Sequence, residues 1–97
     1  MTKSYKRIAA ASTTTQMLTF LADQKAPVSG AAIASALGMQ YGTTMCYLAT
    51  LADDQFVTQA GDKFELGSKI AVIWARYRAR LESQINRLSH ELNELEV

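Results

Sequence analysis

The chain has 97 residues, of which 48% are hydrophobic and 20% are charged. This composition is typical of one small folded soluble domain and excludes a disordered segment. No apolar run is long enough to cross a bilayer, and residues 1–12 lack the apolar stretch of a secretory signal. With a single cysteine, Cys46, and a single histidine, His90, the chain can form neither an internal disulfide nor a metal-ligand cluster. We therefore expect a cytoplasmic protein without membrane contact, metal or other cofactor.

The net charge of +1 conceals an uneven distribution along the chain. Residues 1–80 carry nine basic and five acidic side chains, whereas residues 81–97 carry one arginine and four glutamates. A mildly basic body is therefore followed by an acidic end. A phosphate backbone would bind the body rather than the end.

The first predicted elements are a basic arm and a helix. Residues 1–12 are interpreted as a basic N-terminal arm, with an extra frayed helical turn over residues 8–11 as the alternative. Thr13 and Gln16 have the spacing of a capping box, which predicts that the first helix begins there. Pro27 then separates this helix from the next element.

The next two elements form a predicted helix–turn–helix. Ser29 is placed to cap a second helix over residues 30–37. Gly38 suits the sharp turn because glycine tolerates a positive φ, and the small Ala34 lets two helices cross closely. A third helix is expected from about Tyr41 to Asp54.

The third helix has two faces of different character. Its inward face is predicted to pack on the first two helices, and its opposite face is predicted to project outward. The inward residues are Thr44, Leu48 and Leu51, and the outward residues are Thr43, Tyr47 and Thr50.

A β-hairpin is predicted after the third helix, with strands over residues 56–59 and 63–66 and a tight turn at residues 60–62. Three helices followed by a hairpin are the element order of a winged helix-turn-helix. The predicted fold is thus mostly α with a small β-hairpin, and the winged helix-turn-helix domain covers residues 13–67.

Residues 68–97 are predicted to form a long C-terminal dimerisation helix with a short heptad seam, because Ser68 to Glu96 contain neither glycine nor proline. Ile85 at an a position with Leu88 at d favours two parallel strands, although Leu92 at the next a position is not β-branched. Trp74 and Tyr77 are expected in the core or in the dimer interface. The predicted dimerisation residues are Trp74, Tyr77, Leu81, Ile85, Leu88, Leu92 and Leu95.

The pattern resembles the DNA-binding domain of IclR-type transcriptional regulators. The matching residues are Met17 to Leu21, Ala34 to Met39, Leu48 to Leu51, Phe56-Val57 and Lys63 to Gly67. The resemblance covers just over half the chain and implies a winged helix, a recognition helix and a dimer.

The chain also departs from this family's pattern. Family members commonly read Leu-Pro-Lys-Ser-Thr after the turn glycine, where this chain has Met39-Gln40-Tyr41-Gly42-Thr43. The family's usual arginine in the recognition helix falls on Cys46, which we interpret as a buried or half-buried small apolar residue. Within the 97 residues no large effector-binding domain follows, so the resemblance assigns no small-molecule inducer.

The candidate DNA-binding residues combine groove-reading and phosphate-binding side chains. Glutamine can bond adenine bidentately, threonine offers a hydroxyl and a methyl group, and lysine and arginine neutralise phosphates. No lysine or arginine lies on the predicted recognition helix, so its electrostatic attraction must come from elsewhere. The candidates are Gln40, Tyr41, Thr43, Tyr47 and Thr50 on that helix, Lys63 on the wing, Lys3, Lys6 and Arg7 on the arm, and Lys25 after the first helix.

The sequence therefore predicts a homodimeric, sequence-specific double-stranded DNA-binding protein, a transcriptional regulator with residues 41–53 as recognition helix and residues 56–66 as wing. No catalytic set of nucleophile, base and orienting residue can be composed, so an enzyme is rejected. One alternative is a winged-helix interaction module whose cation-free helix packs on another regulatory protein. A second alternative is a phage or plasmid DNA-coating or segregation protein.

Overall fold

The computed structural model describes residues 4–96, so the predicted arm residue Lys3 lies outside the described residues. Within that range the chain is mostly helical with a small antiparallel sheet and a long C-terminal helix, which confirms the predicted fold class. The elements are α1 (Ala9–Ala22), β1 (Val28–Ser29), α2 (Gly30–Leu37), α3 (Tyr41–Asp53), β2 (Val57–Ala60), β3 (Lys63–Leu66) and α4 (Ser68–Leu95).

Helix α1 begins at Ala9, four residues before the predicted cap at Thr13, so the capping-box prediction was wrong. The run of alanines at residues 9–11 favours helix strongly enough to extend it without a side-chain cap. The Ser12 hydroxyl lies inside the helix, where it accepts a hydrogen bond from the Arg7 guanidinium at 2.6 Å. The alternative of an extra helical turn was therefore the correct one.

The helix–turn–helix is formed as the sequence predicts. Ser29 caps α2, because its hydroxyl oxygen accepts a hydrogen bond from the amide of Ala32 at 3.1 Å. Gly38 ends α2 with φ of +65°, and the following amide of Met39 donates to the carbonyl of Ala34 at 2.9 Å. This left-handed glycine turns the chain directly into α3.

The close approach of α2 and α3 depends on Gly30, which the sequence analysis did not single out. A Cβ atom at Gly30 would lie 2.5 Å from the sulfur of Met45 and 3.8 Å from a methyl carbon of Leu48. The small residue that lets these helices pack is thus at the start of α2. Ala34, the predicted contact, is buried a turn later.

The sheet has three strands in the order β1-β3-β2, all antiparallel. The predicted hairpin is present, with its first strand one residue later than expected. Strand β1 was missed because it has only two residues, Val28 and Ser29, which pair with Phe64 and Lys63 of β3. This third strand fixes the hairpin against the helical body.

The core lies between the helices and one face of the sheet. The predicted inward face of α3 is confirmed, since Thr44, Leu48 and Leu51 are all buried. The buried cluster consists of Met17, Leu21, Ile33, Leu48, Leu51, Val57 and Phe64.

A junction of backbone hydrogen bonds joins the end of α3, the start of β2 and the start of α4. The Gln55 carbonyl accepts from the amide of Lys69 at 3.0 Å, and the Phe56 carbonyl accepts from the amide of Gly67 at 2.8 Å. The amide of Phe56 donates to Leu51 of α3 at 2.9 Å. We call residues 55, 56, 67 and 69 the α3–α4 junction, and it sets the direction of α4 relative to α3.

Helix α4 extends away from the body, and none of its described residues is buried. The radius of gyration is 19.3 Å, whereas a compact chain of this length would have about 13 Å. Trp74 and Tyr77 are 57% and 52% exposed, so the expectation that they could pack into the core was wrong. Only the interface interpretation of these two residues remains.

Two glycine-to-alanine substitutions should distinguish steric crowding at the junction from the general stabilisation of a helix by alanine. A Cβ atom in Gly67→Ala would collide with the Gln55 carbonyl oxygen and lie 2.9 Å from the Val57 nitrogen, so we expect a loss of about 1–3 kcal/mol of unfolding free energy. Gly42→Ala is the control, because its Cβ atom meets nothing within 4 Å on the exposed side of α3; we expect a gain of about 0.5–1 kcal/mol. Urea denaturation at one protein concentration measures both, and equal effects would contradict the junction.

Candidate nucleic-acid interface

The first half of α3 presents an exposed polar surface. Tyr41 is 56% exposed, and Gly42, Thr43 and Cys46 are exposed beside it. The buried Thr44 on the opposite side anchors this half of the helix to the core. The prediction that Thr43 projects outward is confirmed.

The start of α3 is held by a pair of hydrogen bonds to one carbonyl. The amide and the hydroxyl of Thr44 both donate to the carbonyl oxygen of Gln40, at 3.0 Å and 2.9 Å. Gln40 precedes the helix in an extended conformation with an exposed side chain that forms no cap hydrogen bond. This helix start therefore has a fixed backbone and an outward-facing amide side chain, as a groove-reading helix start requires.

The second half of α3 borders a groove of about 490 Å³ against α1. Tyr47 is half-buried and packs on the core, so the expectation that it projects freely outward was wrong. Thr50 is exposed, but its hydroxyl donates to the Cys46 carbonyl at 2.9 Å. The groove is lined by Ala10, Thr14, Cys46, Tyr47, Thr50, Leu51, Asp54 and Phe56.

Cys46 is exposed on α3, which contradicts its interpretation as a buried or half-buried residue. Helical spacing explains the position, because Cys46 follows the exposed residues Gly42 and Thr43 by four and three residues. The sequence pattern could have revealed this, since the inward residues Thr44, Leu48 and Leu51 leave Cys46 on the other face.

The candidate cations lie on elements other than α3, and Arg7 lines a groove that contains no residue of α3. Lys63 is exposed at the start of β3, beside the hairpin turn. Lys6 and Arg7 are exposed immediately before α1, whose first turns border the groove at Ala10 and Thr14. Lysine or arginine is thus present at the wing and at the arm.

Lys25 lies elsewhere. It borders a second groove, between the end of α1 and β3, together with Glu65 and Leu66. No residue of α3 lines that groove. The structure therefore does not bring Lys25 together with the other candidate DNA-binding residues.

A second candidate surface is the seam of α4. The seven predicted dimerisation residues are between 39% and 82% exposed, the extremes being Leu81 and Leu95. A continuous row of exposed apolar side chains on a helix marks an interaction surface.

Residues 4–96 offer neither a metal site nor a membrane-spanning helix. No group of three or more His, Cys, Asp or Glu side chains there is arranged to hold a metal ion. No helix in the same range is both long and apolar enough to cross a membrane.

Comparison with known proteins places this fold among solved structures. Neither a protein-family model nor a curated protein matches the sequence. HmgR of Pseudomonas aeruginosa is similar over 68% of this chain and 29% of its own, with 24% identity and a TM-score of 0.63. The IclR transcriptional regulator of Alicyclobacillus acidocaldarius is similar over 74% of this chain and 30% of its own, with 23% identity and a TM-score of 0.70.

A third similar structure extends further along the chain. ZitR of Lactococcus lactis matches 95% of this chain and 64% of its own, with 17% identity and a TM-score of 0.56. Because α4 supplies 28 of the 97 residues, a match of this extent must include most of α4. The chain spans less than a third of the HmgR and IclR chains and just under two thirds of ZitR. It has a winged-helix fold similar to these structures, followed by a long helix.

Proposed function

We propose that the chain binds double-stranded DNA as a homodimer and acts in the cytoplasm as a sequence-specific transcriptional regulator. The observation that carries this proposal is the first half of α3, an exposed polar helix start anchored from behind by Thr44. Helix-turn-helix proteins contact base edges with the first residues of such a helix. The IclR structure of Alicyclobacillus, which is named a transcriptional regulator, has a similar fold over this part.

The side chains at this helix start have the chemistry of base recognition. Gln40 can donate to and accept from one adenine, and Thr43 offers a hydroxyl together with a methyl group for thymine. Tyr41 can reach a phosphate oxygen. We assign base contacts to Gln40 and Thr43, and we leave Tyr47 as a supporting residue because it packs on the core.

Attraction to phosphates would come from both sides of α3. The wing, formed by β2 and β3, carries the exposed Lys63, and the chain before α1 carries Lys6 and Arg7. Each phosphate that a cation neutralises releases counterions, so these residues would supply binding energy without sequence preference.

Two copies would bind through the seam of α4, because a single copy leaves that seam in water. A two-fold axis would then relate two copies of α3, each reading one half-site. The similarity to HmgR and IclR covers only part of those chains, so the proposal concerns DNA binding and assigns no effector.

A second candidate function is a protein interaction module. It is favoured by the absence of lysine and arginine from α3 and by the groove between α1 and α3, whose lining is mainly apolar. In that case a partner protein would fill the groove, and DNA would not bind.

The first test separates sequence reading from phosphate binding. In mobility shifts against selected duplexes, Gln40→Ala and Thr43→Ala should change the preferred bases, with about 1–3 kcal/mol lost per contact. Lys6→Ala, Arg7→Ala and Lys63→Ala should weaken binding to every duplex and reduce the salt slope by about 1 each. Lys25→Ala is the matched control and should leave the slope unchanged. No salt-sensitive binding at micromolar protein would contradict the proposal.

The second test uses Cys46 as a reporter of the α3 surface. Because the thiol is exposed, a maleimide should label it in the folded protein. Duplex DNA should slow this labelling about tenfold or more if α3 enters the major groove, which is about 12 Å wide. A Cys46→Ser variant carrying Ser83→Cys on α4 is the control, since residue 83 is exposed far along the helix. Equal labelling of Cys46 with and without bound DNA would contradict the placement of α3 in the groove.

A further inference from the structure

Helix α4 carries an unpartnered apolar seam whose two ends have opposite charge. The basic segment is Arg76, Arg78 and Arg80, and the acidic segment is Glu91, Glu94 and Glu96. We propose that the seam pairs with the α4 of a second copy in antiparallel orientation, so that each basic segment lies beside the partner's acidic segment. This inference rests on the homodimer of the proposed function and specifies its geometry.

The seam maps onto itself when one copy is reversed. With the two-fold axis between residues 84 and 85, facing residues have numbers that add to 169, and Ile85 of each copy flanks the axis. In this register three apolar pairs face each other on each side of the axis, whereas Ile85 faces the partner's Gln84 next to the axis. The facing pairs are Trp74 with the partner's Leu95, Tyr77 with the partner's Leu92, and Leu81 with the partner's Leu88.

The same register also places two pairs of oppositely charged side chains opposite each other. Arg78 lies opposite the partner's Glu91, and Glu82 lies opposite the partner's Arg87. Opposite charges beside an apolar seam set the orientation of paired helices. The two ends of the antiparallel pair would then be electrically equivalent.

A parallel pair would oppose like charges. The heptad that places Ile85 at a also places Arg78 at a, so Arg78 would face the partner's Arg78 inside the seam. Glu91 at g would lie beside the partner's Glu96 at e. The preference of Ile85 and Leu88 for parallel strands concerns a single a–d pair, and the opposed charges at both ends outweigh it.

Contacts within one copy already direct the basic segment toward the seam. The guanidinium carbon of Arg78 lies 5.4 Å from the Trp74 ring centroid, and that of Arg80 lies 5.0 Å from the Tyr77 ring centroid. Arg78 also lies 3.4 Å from a carboxylate oxygen of Glu82. Both arginines thus border the two aromatic seam residues, where the partner's acidic segment would arrive.

Antiparallel pairing fixes how far apart the two winged helices lie. Ser68 and the partner's Ser68 would be separated by 33 helical residues along the axis, or about 50 Å. Parallel pairing would bring the same two residues to about 10 Å, the distance between packed helices. The two orientations therefore predict different separations of the two copies of α3.

Disulfide trapping between differently tagged chains tests the orientation. In a Cys46→Ser background, Tyr77→Cys chains mixed with Leu92→Cys chains should form mainly the mixed disulfide. Leu88→Cys alone should form little disulfide, because the two thiols would be about 10 Å apart along the axis. A parallel pair would reverse this result, since Leu88→Cys and Leu92→Cys would each cross-link to themselves.

Charge reversal provides a second measurement that does not depend on cysteine chemistry. Arg78→Glu or Glu91→Arg alone should raise the dimer dissociation constant about tenfold, and the double variant should restore it to within about threefold. Ser83→Ala, on the side away from the seam, is the control. Failure of the double variant to recover would overturn the antiparallel pairing.

The outcomes distinguish this inference from the proposed function. A chain that remains monomeric by light scattering at hundred-micromolar concentration overturns both the pairing and the homodimer. A dimer that cross-links as a parallel pair overturns the orientation alone. The predicted cross-links together with an absence of DNA binding would support the pairing and contradict the proposed function.

Discussion

The α3–α4 junction is the constraint on which the rest of the molecule depends. Backbone groups of Gln55 and Phe56 bind the amides of Lys69 and Gly67, while the amide of Phe56 is bound to the last part of α3. These are main-chain bonds between short segments, so they fix orientation more firmly than side-chain contacts could. Gln55 adopts φ of +68°, a conformation that non-glycine residues rarely take and that the surrounding bonds maintain. The junction therefore ties the start of α4 to the end of α3 through main-chain bonds.

The two halves of helix α3 have different surroundings. Its first half exposes Tyr41 and Thr43, and its second half packs Tyr47 toward the core along the groove with α1. The helix start is thus exposed to a large partner, whereas the helix end borders the groove with α1. Because α3 carries no lysine or arginine, charge attraction in the proposed function would come from the wing and the arm. Recognition and attraction would then be carried by different elements.

Most of the fold could be predicted from the sequence, and the failures share a physical cause. Helix α2, its Ser29 cap and the Gly38 turn follow from local conformational preferences, and α3's inward face follows from helical periodicity. Strand β1 could not be found, because two residues carry no periodic signal and their pairing with β3 is a tertiary event. Similarly, helical periodicity predicted that Tyr47 is exposed, because the sequence does not show where α1 lies relative to α3. The proximity of Lys25 to Glu65 could not be predicted either, because it depends on where β3 lies.

In the proposed antiparallel pair, the length of α4 sets the distance between the two junctions. In such a pair the two α3–α4 junctions are separated by twice the distance, measured along α4, from the symmetry axis to one junction. A slip of one heptad would change that span by about 10 Å, or roughly three base steps. A parallel pair would be insensitive to the same slip. In the proposed dimer, the separation of basic and acidic segments along α4 would therefore fix the distance between the two winged helices, and with it the spacing of half-sites that the protein could bind.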